Sequence, residues 1–365
     1  MKAAVCHELN QPVRVEEVQL EPPRRDEVRV RMAAAGVCHS DLSVTQGVIP
    51  MKLPLVLGHE GAGVVEEVGA GVTHVAPGDR VVLAWVTPCG SCFYCRIGKP
   101  NLCELGERIN ETNRMPDGTS RVHLDGQPLN VYSAVGTMAE YAVVPANAAV
   151  RVPDDAPLDR AALLGCAVMT GVGAVFNTAR VTPGSTVAVF GAGGVGLNAI
   201  QGAAIAGAER IVAVDTRRGK LDLARTFGAT DVVDAAEGNA VRAIRELTGG
   251  RGADYAFEAV GRKETIEQAW AATRKAGTCV VIGLGSLKEV ASFKAFLLPL
   301  FEKRLVGCWY GSANVHLEIP RLLALYRAGK LKLDQLVTRT YPLSLVNEAF
   351  ADMTAGVNAR GVIVF

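Results

Sequence analysis

Four cysteines fall within fifteen residues, in the pattern Cys89-x2-Cys92-x2-Cys95-x7-Cys103. Thiolates packed this closely in a reducing compartment are better satisfied by one tetrahedral zinc than by disulfides. Pro88, Gly90 and Ser91 supply the tight turns that bring the sulfurs to about 2.3 Å from a metal. The competing reading is a cysteine-rich loop of free thiols, which would expose four adjacent groups to oxidation.

A chain of 365 residues is long for one domain and comfortable for two. Its 49% hydrophobic and 21% charged residues describe a globular protein with a large core. A formal charge of +1 gives no electrostatic reason to expect nucleic acid or an anionic membrane as partner. The first eighteen residues reach charged side chains too early for a signal peptide, and no apolar run approaches the ~20 residues of a membrane span. A cytoplasmic, metal-using protein is expected.

Up to about residue 155 the chain reads as β-rich, with short Val-rich strands at Glu27–Met32, Gly61–Val68 and Arg80–Leu83 separated by Gly, Pro and Asp. The segment 104–135 reads as a long polar insertion. After Val152-Pro153-Asp154-Asp155 the character changes. Ala162–Ala179 predicts a helix, followed by strands at 185–190, 210–214, 253–258 and 278–283, with Val232-Val233 a short candidate. A helix is expected near 220–227. Strands alternating with helices predict a doubly wound parallel sheet. Helices near 319–328 and 342–353 and a strand at 361–365 close the chain.

Gly191-Ala192-Gly193-Gly194-Val195-Gly196 matches G-x-G-x-x-G between a strand and a helix. The glycines permit the tight turn, close approach of backbone to a pyrophosphate, and helix–strand contact. The helix N-terminus then offers oriented N–H groups to phosphate. Asp215 ends the next strand, where a carboxylate accepts from ribose hydroxyls and repels a 2′-phosphate, so NAD is expected. Arg217 and Arg218 leave NADP open. Lys220 is a candidate ribose contact or a solvated helix-face lysine.

Three further candidate ligands are scattered: Cys38 in GVCHSD, His59 in GHE, and Cys166 after Gly165. Two thiolates and an imidazole make a three-ligand zinc with an open position. By spacing alone each is weak, and a cysteine such as Cys166 among small residues is also the pattern of plain burial. His7, His74, His123 and His316 have no comparable context.

Taken in order, GVCHSD, GHEGAGVVEEVG, the four-cysteine loop, Gly165-Cys166, GAGGVG and VAVD resemble the zinc-dependent medium-chain alcohol dehydrogenases nearly end to end. The resemblance implies an α/β plus β architecture. A GroES-like, mostly β catalytic domain (1–167, completed by 311–365) would flank a Rossmann NAD-binding domain (168–310). It implies Cys38, His59 and Cys166 as catalytic zinc ligands, with Glu60 an acidic neighbour able to approach the metal, and Cys89, Cys92, Cys95 and Cys103 as the structural site. Two zinc ions per subunit and NAD follow as cofactors. Ser40 would contact the substrate hydroxyl, and His39 and Arg360 the cofactor phosphates. Asp41 would orient His59. An ion pair is the plain alternative for Glu60 and Arg360.

The expected reaction is reversible oxidation of a primary aliphatic or aromatic alcohol to its aldehyde. Ile49, Trp85, Tyr132 and Met138 are expected to line an apolar pocket, with core packing the alternative. At Ser43 many dimeric relatives carry a relay histidine, so protons would leave without a protein imidazole there. The insertion and the 165–178 segment also resemble thiol-dependent formaldehyde dehydrogenases, which oxidise S-(hydroxymethyl) adducts of glutathione or mycothiol. Glu107, with Arg108 beside it, stands where the glutathione-dependent members place an arginine. Leu305–Gly311 reads as an edge strand suited to homodimer pairing, with a tetramer the alternative.

Overall fold

The computed structural model describes Met1–Phe365. The chain divides into two compact units: Met1–Ala167 with Asn314–Ala328 and Leu333–Phe365, and Val168–Ala313 with Gly329–Lys332. The expected 311–365 completion is therefore interrupted. The backbone N–H of Lys332 donates to Gln201 Oε1 at 2.9 Å, which ties that short stretch to the second unit.

The first unit is built around the long strand Glu27–Gly36. Its sheet runs Ala149–Val152, Arg80–Leu83, Gly61–Val68, Glu27–Gly36, Arg360–Val364, Val337–Pro342, and Tyr141–Pro145 also pairs with the long strand. All these pairings are antiparallel except that between the last two strands of the order. The alternation of Val28, Val30 and Met32 with half-exposed or exposed residues puts one face of the long strand into a core with Val65, Val81 and Leu83. A second core gathers Val37, Leu55, Leu57, Tyr132, Met138 and Ile363. The C-terminal strand thus belongs to the N-terminal domain.

The second unit holds a six-stranded sheet in the order Asp231–Asp234, Arg210–Asp215, Thr186–Phe190, Ala253–Glu258, Thr273–Val281, Arg304–Gly307. Every neighbouring pair is parallel, which makes it a Rossmann sheet. Strands buried on both faces read as apolar runs such as Val187–Phe190.

Several sequence expectations change. The helix expected over Ala162–Ala179 is broken: a 3-10 turn covers Ala162–Gly165, Cys166 leaves the helical region, and Ala167–Gly173 runs into a π-helical Ala174–Ala179. The insertion 104–135 carries structure of its own, a helix at Glu104–Thr112 and a hairpin, Val122–Leu124 with Gln127–Pro128, against Gln19–Leu20. Helices at Ala240–Leu247 and Lys263–Ala272 were not anticipated; Asn239 caps the first by accepting from Arg242 N–H at 2.9 Å. The expected edge strand 305–311 ends at Gly307.

Arg121 pins the insertion to the first unit. It is 1% exposed and donates from Nε and Nη2 to the two oxygens of Glu27, itself 4% exposed, at 2.8 and 2.5 Å. Arg121→Ala strands that carboxylate in the interior and is expected to cost about 3–5 kcal/mol, measured as a lowered urea midpoint. Replacing both partners, Arg121→Met with Glu27→Gln, should cost much less.

Candidate metal and dinucleotide sites

Cys38 lies two residues past the long strand, immediately before the helix His39–Thr45. His59 follows Gly58, whose φ of +96° and close packing exclude a side chain: a Cβ there would stand 2.3 Å from Met138 N. Cys166 occupies the break between two helical turns. These three elements bring the ligand atoms of Cys38, His59 and Cys166 within 4.8 Å of one another, all buried. No fourth protein ligand joins the group.

Asp41 orients the imidazole. Its Oδ1 accepts from His59 Nδ1 at 3.2 Å and from Gly58 N–H at 3.0 Å, at zero exposure. Donation from Nδ1 leaves the Nε2 lone pair for a metal. Burial opposes charge on His59, yet Asp41 and the Cys38 sulfur together outweigh it and hold its pKa well above 6.5. The two thiols divide: the proton shared with Cys166, with help from Arg360, pulls Cys38 well below the ordinary thiol value, while Cys166 is pushed well above it. A divalent cation would hold both as thiolates.

Glu60 is not among the gathered ligands. Its Oε2 accepts from Arg360 Nη2, and both side chains are buried. Burial pushes Glu60 up to about 7, with the guanidinium pulling the other way. Arg360 is 6% exposed and turned toward Glu60 and Cys38, forming the ion pair that is the plain alternative for both residues. Ser40 is half-buried with Oγ 3.7 Å from Cys38 Sγ, and His39 is exposed in the same first turn. Ser43 is buried.

The aromatic neighbours of His59 are Tyr132, 4.8 Å between ring centroids, and Trp85, edge-on at 6.2 Å. Ile49 packs at the margin of the core cluster that contains Tyr132. Met138 is 0% exposed within that cluster and has no surface to offer a ligand, so it is core.

In the four-cysteine loop, Cys89 and Cys95 sulfurs lie 4.0 Å apart, and those of Cys92 and Cys103 3.9 Å apart. The edge of a thiolate tetrahedron around zinc is about 3.8 Å, given metal–sulfur bonds near 2.3 Å. The four fit a zinc by type and spacing, and no disulfide competes. Backbone N–H groups of Ser91 and Cys92 donate to Cys89 Sγ at 3.4 and 3.3 Å. Against the opposing effect of burial these bonds draw Cys89 down to about 6.

In the second unit the glycine loop leaves Phe190 and opens the helix Gly194–Ile205. A Cβ on Gly196 would stand 1.7 Å from Gly191 O, whereas one on Gly193 would meet nothing within 4 Å. The open side is where a pyrophosphate can approach the backbone and the helix N-terminus. Val195 lies in that helix's first turn. Asp215 Oδ2 accepts from Ala192 N–H at 2.8 Å, and Oδ1 from Thr216 and Arg217 N–H. The carboxylate therefore ties the loop to the next strand while keeping lone pairs for further donors. Lys220 is half-buried in the first turn of Arg218–Thr226.

Residues 24–154 match the alcohol dehydrogenase GroES-like domain, and residues 194–328 the zinc-binding dehydrogenase family. The chain belongs to the zinc-dependent medium-chain alcohol dehydrogenases. It is 42% identical to alcohol dehydrogenase B of Mycobacterium tuberculosis, over 99% of this chain and 97% of the relative. It is equally, 42%, identical to the NDMA-dependent alcohol dehydrogenase of Amycolatopsis methanolica, over 100% and 98%. The benzyl alcohol dehydrogenase of Acinetobacter calcoaceticus superposes with a TM-score of 0.95 at 35% identity, covering 100% of this chain and 99% of that one. In this alcohol dehydrogenase, sequence reading missed Gly58 as a determinant of the His59 position; a glycine directly before a candidate ligand is the available signal. Removing the Asp41 carboxylate with Asp41→Ala is expected to weaken metal retention at His59 about 10–100-fold, measured by chelator competition.

Proposed function

We propose that the protein oxidises primary alcohols reversibly to aldehydes with hydride transfer to NAD, and holds two zinc ions per chain. The convergence of Cys38, His59 and Cys166 on one point, with no fourth protein ligand, carries this reading. When bound there, zinc supplies Lewis acidity toward the substrate oxygen, and NAD supplies the hydride acceptor. Asp41 fixes the His59 tautomer and orientation. Ser40, beside Cys38 in a half-buried position, takes the alcohol proton because its hydroxyl donates and accepts at once. Ser43, the next candidate in the relay, is buried and has no basic group to receive it, so the proton leaves through water or another group. Tyr132 and Trp85, packed against His59 with Trp85 edge-on, favour an apolar alcohol, and the benzyl alcohol dehydrogenase relation supports an aromatic one. The glycine loop, Asp215 and Lys220 would hold the adenosine half of NAD, with His39 near its phosphates.

The NDMA-dependent relative favours a second reading of the electron path. In it NAD stays bound through turnover, and an added acceptor reoxidises it in place. A thiol-adduct substrate is disfavoured: Glu107 stands where a cationic anchor is needed, and Arg108 Nη2 is directed to the Pro116 carbonyl at 3.5 Å. A homodimer is proposed across Arg304–Gly307, an edge strand paired on one side only. Leu287, Val290, Phe296 and Leu300, all exposed, lie in the segment before it.

The deciding assay follows oxidation of ethanol, longer primary alcohols, benzyl alcohol, and formaldehyde with glutathione or mycothiol. Free NAD and NDMA are compared as acceptors. Turnover of free alcohols with NAD supports the proposal. Turnover with NDMA alone, and NAD released on denaturation, moves it to the second reading. Dependence on a thiol would overturn the substrate assignment. Metal analysis is expected to find two zinc ions, falling to one in Cys166→Ser. Ser40→Ala is expected to lower kcat about 10²-fold or more with metal content unchanged.

A further inference from the structure

The Rossmann sheet reverses direction of growth between Thr186–Phe190 and Ala253–Glu258. Ligands of such sheets bind outside the carboxyl ends of the strands at that reversal. The last residues paired across it are Phe190 and Glu258. Glu258 is wholly buried, a carboxylate closing an otherwise apolar strand end.

Its Oε1 accepts from Val260 N–H and Gly261 N–H, each at 2.8 Å, and lies 2.7 Å from the Thr265 hydroxyl. Its Oε2 has no hydrogen-bond partner. Its backbone carbonyl accepts from Ile282 and Gly283 N–H at 2.8 and 3.0 Å. One residue therefore grips two loops, 259–262 and 282–285. The loops meet backbone to backbone: a Cβ on Gly285 would stand 1.9 Å from Gly261 O, and one on Gly283 2.1 Å from Gly261 N. On its other side the first loop presents Val260, 43% exposed, whose Cγ2 would be 2.7 Å from a Cβ on Gly191. The turn held by Glu258 is thus the wall against which the glycine loop rests.

A buried carboxylate with one oxygen unpaired is costly, and an apolar strand end would be at least as stable. Local rules broken at such a place point to function rather than stability. We propose that Glu258 is a positioning residue for the dinucleotide, fixing the 259–262 turn and through it the 282–285 loop as the wall of the cofactor cleft opposite Asp215. This rests on the NAD reading above.

The test measures NADH binding by fluorescence titration, well below the melting temperature, alongside amide hydrogen exchange and zinc content. Glu258→Ala is expected to weaken NADH about tenfold or more, since it removes charge-assisted hydrogen bonds. The Val260 and Gly261 amides should lose protection while zinc content stays at the wild-type level. Glu258→Gln keeps an acceptor oxygen and should stay within about threefold of wild type. Thr265→Val removes one donor and should fall between; it carries the test if the alanine variant does not fold. Wild-type affinity in Glu258→Ala, or in Thr265→Val where that variant stands in, overturns the proposal and leaves Glu258 a structural clamp. A wild-type protein that binds no NADH overturns the NAD reading itself and the proposal with it, and is told apart because every variant then matches at zero binding.

Discussion

A single buried oxygen, Asp41 Oδ1, sets the candidate metal centre. It accepts at once from the Gly58 backbone and from the His59 ring. The first bond fixes where the chain leaves the left-handed Gly58, and the second fixes the plane of the imidazole. Asp41 lies on the helix that begins just after Cys38, so the same carboxylate couples the placement of two ligands from separate elements. Cys166 needs a third device, the broken helix that a regular Ala162–Ala179 would not permit.

The Rossmann unit is organised by a comparable economy at its carboxyl edge. Val214 O accepts from Gly191 N–H, Phe190 O from Ala259 N–H, and Glu258 O from Ile282 N–H, at 2.8, 2.9 and 2.8 Å. Each strand thus hands a carbonyl at its carboxyl end to the loop leaving its neighbour. Two carboxylates, Asp215 and Glu258, complete the edge from either side of the glycine loop, and both do so by accepting backbone N–H groups. The loops at this edge are held by the protein's own hydrogen bonds, and such built-in order lowers the ordering cost of binding.

What could be read from sequence follows from how local each determinant is. Gly61–Val68, Arg80–Leu83 and Ala253–Glu258 are bounded by turn residues and appear where expected to the residue. The four-cysteine loop and G-x-G-x-x-G are legible because their chemistry sits within one turn of chain. Glu60 and Arg360 are separated by 300 residues, and no local pattern announces their ion pair. The amphipathic Ala240–Leu247 was hidden by charged residues that leave only Ala240 and Ile244 buried. Met138 looked like a pocket residue by composition, and only packing shows that it has no free surface.

The charges around Cys38 explain why these parts belong together. Two carboxylates, Asp41 and Glu60, and two thiols are buried with a single permanent cation, Arg360. Arg360 offsets Glu60 directly, and Asp41 is engaged by His59 and Gly58, so the thiols are left to settle their own protonation. The hydrogen bond they share, with help from Arg360, draws Cys38 below the ordinary thiol value and pushes Cys166 above it. A divalent ion would supply positive charge at the point where three ligand atoms already converge, with the half-buried Ser40 hydroxyl beside Cys38.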